Sequence, residues 1–246
     1  MLKKRLFAAL FLMGTSIDIS LAATVNFILS APQIQASGYP ILSSETFDGR
    51  TTGNMSLSGS FGLGNYTVNR FTGLYFPEIR EANRWGGASG TGKYLFTGSS
   101  EITINLTNPA PYIGFWWTGA GDDDTVKVYG FENGSEILFG TYSYSNLVNT
   151  IGSKTSPNTV ITDNGLSVNG SQFYGNPNDS ALTGEYIYAY LNIKLADPSL
   201  TFSKISFSGQ NFELDSVVTS SVPEPSALSL LAVGLGVLFR RSRKRD

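Results

Sequence analysis

Apolar and polar residues alternate with a period of two through much of this chain. In Glu101–Leu106, Ile102, Ile104 and Leu106 fall on one face and Glu101, Thr103 and Asn105 on the other. Thr125–Tyr129 repeats the pattern with Val126 and Val128. The longest run, Tyr186–Leu195, sets Ile187, Ala189, Leu191, Ile193 and Leu195 on one face and Tyr186, Tyr188 and Tyr190 on the opposite one. Tyr112–Thr118 divides in the same way, with Ile113, Phe115 and Trp117 against Tyr112 and Trp116. Leu200–Phe207 and Phe212–Val218 read as the closing strands. No stretch between the two ends of the chain keeps a 3.6-residue period over three turns. Half-buried strands joined by Gly- and Asn-rich turns predict an all-β domain, a two-sheet antiparallel sandwich of jelly-roll topology.

Before Tyr94 the pattern is weaker. Thr24–Leu29 and Glu45–Asp48 are expected as strands, Ser56–Asn65 as a Gly- and Ser-rich loop, and Arg80–Trp85 as a short helical turn. Gly86–Gly92 holds four glycines, but no Lys-Ser/Thr follows them as a phosphate-cradling loop requires. It is expected as a loop whose backbone lies tightly against a neighbour.

Both ends of the chain depart from this pattern. Lys3, Lys4 and Arg5 precede the apolar stretch Leu6–Met13, and small residues follow at Ser20 and Ala22. That order is a secretory signal peptide over residues 1–22. The other end, residues 222–246, has three parts: Pro223-Glu224-Pro225, an uncharged run over 226–239, and a basic cluster over 240–245. The run is expected as one short transmembrane helix. Roughly 14 helical residues at about 1.5 Å each reach about 21 Å, against a hydrocarbon core near 30 Å. This suits a temporary membrane stop, with Arg240, Arg241, Arg243, Lys244 and Arg245 held on the cytoplasmic side. The domain between is expected over 23–221, with 23–93 as an elaboration of it.

Composition narrows the chemistry. Residues 23 to 222 hold nine basic and sixteen acidic side chains, a formal charge of −7. That balance argues against nucleic acid as a partner. The chain has neither Cys nor His, which excludes disulfides, thiol chemistry and Ser-His-Asp catalysis. Glu213 and Asp215 share one strand face, about 7 Å apart at strand spacing, the weak basis for a glycan-cleaving reading. No catalytic residue, and no enzyme, is expected. Trp116, Tyr186, Tyr188 and Tyr190 are candidates for stacking on a sugar ring, set against the commoner arrangement of a sheet face covered by a neighbouring loop. Asp122, Asp123 and Asp124 offer hard oxygens for Ca²⁺, but three adjacent acids lack the alternate spacing of a dedicated calcium loop. No other metal and no cofactor is expected.

In its order of parts, the segment 222–246 resembles the PEP-CTERM sorting signal of bacteria that make extracellular polysaccharide. The resemblance implies an exosortase as partner, cutting near Pro223-Glu224-Pro225 after a transient stay at the inner membrane. It also implies a destination on the cell surface or in the extracellular matrix. Several short pieces further resemble a family of exosortase-dependent surface proteins with a jelly-roll domain. They are Trp85–Gly92, Tyr112–Trp117, Tyr174–Pro177, Glu185–Asn192 and Phe212–Asp215. Together these readings imply a structural or adhesive protein of exopolysaccharide or biofilm. The alternative is a carbohydrate-binding module for the cell's own polysaccharide.

Overall fold

The computed structural model describes residues 23–70, 75–181, 184 and 186–221. The signal peptide (1–22), Pro223-Glu224-Pro225, the apolar run 226–239, and Arg240, Arg241, Arg243, Lys244 and Arg245 lie outside the described residues. Among the described residues no helix is long and apolar enough to cross a membrane.

Six strands occupy the first part of the domain: β1 (Val25–Leu29), β2 (Ser43–Glu45), β3 (Gly53–Asn54), β4 (Ser58–Phe61), β5 (Gly64–Arg70) and β6 (Glu78–Glu81). Next come β7 (Lys93–Phe96), β8 (Ser99–Ala110), β9 (Tyr112–Ala120), β10 (Thr125–Glu132) and β11 (Ser135–Ser143). Helix α1 (Tyr144–Ile151) precedes a small hairpin of β12 (Thr159–Ile161) and β13 (Ser167–Asn169). The chain closes with β14 (Ile187–Leu195), β15 (Phe202–Gln210) and β16 (Glu213–Ser220).

The strands form two antiparallel sheets. One has the order β1-β14-β9-β16-β7-β6-β3, with β2 also pairing β16; the other runs β11-β10-β15-β8-β5-β4. Successive long strands cross from sheet to sheet (β8, β9, β10, then β14, β15, β16), which gives a jelly-roll-like sandwich. The predicted apolar faces meet between the sheets. Ile102, Ile104, Val126, Val128, Ile205 and Phe207 come from one, and Ile113, Phe115, Trp117, Leu191, Ile193 and Leu214 from the other. Phe115 and Phe207 touch edge to face at 5.1 Å, and Trp117 stacks on Phe212 at 4.9 Å.

Strands from the first part of the chain pair directly into both sheets: β1 with β14, β2 with β16, β5 with β8, and β6 with β7. Three local expectations there are corrected. Ser56–Asn65 holds strand β4 and the start of β5, a hairpin whose Phe61 and Tyr66 rings stack at 4.3 Å. Arg80–Trp85 begins as strand β6, because Ile79 is buried while Arg80 crosses to Phe96 on the other face. The strand near Glu45 lies at Ser43–Glu45 and stops there. Buried Glu45 accepts from the amides of Phe47 (2.8 Å) and Gly62 (2.9 Å) and pairs with Arg50. The bend after β2 is built on those bonds.

The Gly86–Gly92 loop is tight, as its glycines suggest. A Cβ on Gly86 would meet the Tyr94 ring at 2.5 Å, and one on Gly87 (φ 97°) would meet Ala82 at 2.4 Å.

The two outer faces differ. On the β8-β10-β15 sheet the outer face is polar, with a Lys127–Glu101 ion pair at 3.4 Å and Ser206 donating to Glu101 at 3.0 Å. On the β9-β14-β16 sheet it is aromatic and covered by two loops, residues 30–42 and 82–92.

Candidate ligand cleft

Of the two readings of the aromatic row, three of its four members follow the covered one. Trp116 is 1 % exposed, Tyr188 3 % and Tyr190 1 %, and they pack together with Ala88 of the 82–92 loop. Their polar tips are bound internally. Tyr188 donates to the Arg84 carbonyl (3.2 Å) and Tyr190 to that of Ser216 (3.3 Å). Trp116, Tyr188 and Tyr190 are therefore a second core, not a binding row. Loop backbone supplies the hydroxyl partner of Tyr188, and the irregular stretch of β16 between Asp215 and Val218 supplies that of Tyr190. Tyr186, just before β14, is the one member of the row that reaches the surface, at 37 % exposure.

The acidic run is dispersed as well. Asp124 turns inward, where its Oδ2 accepts from Trp117 Nε1 (3.2 Å) and from the Gly121 amide (2.9 Å). Burial pushes its carboxyl up to about 7, against the pull of those two donors. Asp123 accepts from the Gln210 amide at 2.6 Å and so ties the β9–β10 turn to the β15–β16 turn. Asp122 stays exposed. Asp122, Asp123 and Asp124 thus serve three different purposes. Among the described residues no group of three acidic side chains is placed to hold a metal ion.

Glu213 and Asp215 do share the outer face of β16, but they part company there. Asp215 lies under the 82–92 loop and accepts from the Ala88 amide at 2.7 Å. It is buried, and that burial pushes its carboxyl up to about 7. Glu213 instead faces a cleft of about 650 Å³ at the end of the sheet. Its walls come from Tyr75, Arg80, Trp85, Phe96, the turn Gly119–Asp123, Tyr144, Tyr186, and Gln210 with Asn211.

Local chemistry fixes each wall. Trp85 is held by its own amide donating to Asn83 Oδ1 (2.8 Å), while Asn83 Nδ2 donates to Tyr94 (3.0 Å). The carbonyl of Arg84 accepts from both Asn176 (2.7 Å) and Tyr188. Trp85 and Tyr186 then meet edge to face, 5.0 Å apart and 84° inclined. Arg80 lies over the Phe96 ring at 3.3 Å and pairs with Glu78 at 2.8 Å. Gly119 (φ 56°) makes room for the acid, since a Cβ there would come within 2.8 Å of Glu213 Oε2.

Glu213 is 7 % exposed, and its carboxyl makes no hydrogen bond to any described residue. Burial pushes it up to about 9; Asp124 adds to the rise and Arg80 opposes it. At neutral pH it is a carboxylic acid, able both to donate and to accept into the cleft. Sequence reasoning singled out Glu213 only as half of a carboxylate pair and missed Trp85 and Phe96 beside it, because the three meet only through the pairing of β6, β7, β9 and β16. A Trp beside glycines was the available signal for the aromatic wall.

The comparisons with known proteins bear mainly on the end of the chain. Residues 221–244 match the PEP-CTERM protein-sorting motif. That motif implies an exosortase-dependent surface protein, exported and held transiently at the membrane before it reaches the cell surface. No curated protein matches the chain. Among solved structures, the K2 cleaved adhesin domain of Lys-gingipain (Kgp) is similar, with 13 % identity and a TM-score of 0.32. That similarity covers 72 % of this chain and 96 % of the other.

Proposed function

We propose that the protein is a non-catalytic structural or adhesive component of exopolysaccharide or biofilm, delivered by exosortase processing of its C-terminal signal. The observation that carries this reading is the sorting motif at residues 221–244, which begins directly after β16 ends at Ser220. The sandwich is thus the part that processing leaves outside the cell. A domain without His or Cys has little conventional catalytic equipment. The carboxylate pair that a glycosidase needs is divided between the cleft (Glu213) and a covered loop (Asp215).

Removing the gene tests the role. Cells without the protein should shed more polysaccharide into the medium and form a matrix that disperses at lower shear, with polymer length unchanged. The full-length gene should restore cohesion. Unchanged cohesion would contradict a structural role, and a shift in polymer length would point to a glycan-cleaving enzyme instead.

A further inference from the structure

We propose that the cleft bounded by Trp85, Tyr186 and Glu213 binds a pyranose unit of a neutral, hydroxyl-rich polysaccharide. The proposal rests on the reading of the protein as a matrix component and names the site through which it would hold the polymer.

Three features of the cleft select this ligand. Trp85 and Tyr186 form an aromatic corner, and a pyranose ring presents C–H faces that pack on such rings. Glu213 supplies the polar half. It is nearly buried, faces the cavity and has no hydrogen bond from any described residue. Its carboxyl opens onto the cavity, where water or a ligand hydroxyl can pair with it. A sugar hydroxyl, both donor and acceptor, satisfies either face of a carboxyl group. The cavity, at about 650 Å³, lies within the roughly 300–1,000 Å³ usual for ligand clefts.

Other ligand classes fit less well. Among the described residues lining the cleft, Arg80 is the single cation, and it is already paired with Glu78 and laid on Phe96. A polymer of uronates or phosphates would meet Asp122 and Asp123 at the rim, and the further cation nearby, Arg84, lies over the Trp85 ring at 5.0 Å rather than among the lining residues. A wholly apolar ligand would strip water from Asp122, Asp123 and Glu213 and return no hydrogen bond. Among the described residues no acids converge as metal binding requires.

Native electrophoresis of the purified full-length protein, in detergent, tests the assignment. Each gel contains one polymer: laminarin, galactomannan, xylan or dextran as neutral probes, alginate as an acidic one, and polysaccharide extracted from the producing cells. At least one neutral polymer, or a neutral fraction of the cells' own, should retard the protein. Trp85→Ala and Tyr186→Ala should each weaken that retardation at least about tenfold, as loss of a stacking contact of 1.4 kcal/mol or more requires. Glu213→Leu should weaken it while circular dichroism stays unchanged, and Glu213→Gln, which still donates and accepts, should largely preserve it. Phe131→Ala, an exposed ring on β10 away from the cleft, should leave it intact. If Trp85→Ala unfolds, the surface variant Tyr186→Ala decides.

Free migration of the folded protein through every neutral polymer overturns the proposal. So does retardation by alginate alone, or retardation that survives Tyr186→Ala. Because purified protein is used, these outcomes are independent of export, and failure of the delivery reading would appear only in cells.

Discussion

At the scale of single residues, the buried acids separate structure from function. Asp124 holds the indole of Trp117 and closes the β9–β10 turn, so its role is architectural. Replacing it with Ala orphans a buried indole N–H and a turn amide, and should cost about 2–3 kcal/mol. Asp124→Asn keeps an acceptor oxygen in place and should cost less than about 1 kcal/mol. Urea unfolding of the two variants checks this; equal losses would show that shape, not the acceptor, matters at that position. Glu213 is the opposite case, an acid of similar burial with nothing to hold. None of this distinction was legible in the sequence. Asp122, Asp123 and Asp124 look equivalent on paper, and only the chain reversal after Gly121 decides which of them turns inward.

At the scale of elements, the period-two pattern served well wherever one face was aliphatic. Strands β8, β9, β10, β14, β15 and β16 lie where alternation places them, and their apolar faces meet in the core. The pattern fails where a strand is buried on both sides. In β14 the tyrosines opposite Ile187–Leu195 look solvent-facing by alternation, yet a loop covers two of them. Alternation reports which residues share a face, not what lies above that face. Hairpin β4–β5 was hidden for another reason, because its Gly and Ser residues have low strand propensity and the pairing with β8 overrides it. Helix α1 is only eight residues long, too short for a helical period, though Ser143 and Asn146 close its first turn with a capping box. The covered face has a direct consequence for mutagenesis. Trp116→Ala should destabilise the domain by about 3–5 kcal/mol, as deletion of a buried large aromatic does. Chemical denaturation measures it, and a variant as stable as the parent would mean that Trp116 is not core.

At the scale of the whole molecule, three buried carboxyls set how stability depends on pH. Burial holds Asp124 and Asp215 up at about 7 and Glu213 at about 9. In the unfolded chain these groups return to about 3.9 and 4.3. Between those values the folded state binds more protons than the unfolded one, so unfolding free energy falls as pH rises from about 4 to about 9. The urea midpoint should therefore be higher near about pH 5 than near about pH 9, and Glu213→Gln should flatten the part of the slope above about pH 7. A midpoint that holds level or climbs over that range would contradict the placement of these acids. The sandwich, however, does not by itself say where the protein works; residues 221–244 do. Their reading was the most legible of all, because Pro-Glu-Pro, an apolar run and five cations act through order and chemistry rather than through a fold. The most direct test is the intact mass of the protein recovered from the surface of exosortase-positive cells. Processing predicts a C-terminus at or near Pro223–Pro225, with residues 226–246 absent, and a full-length membrane-bound precursor in cells that lack the enzyme. A surface protein that still carries Arg240–Arg245 in exosortase-positive cells would contradict it.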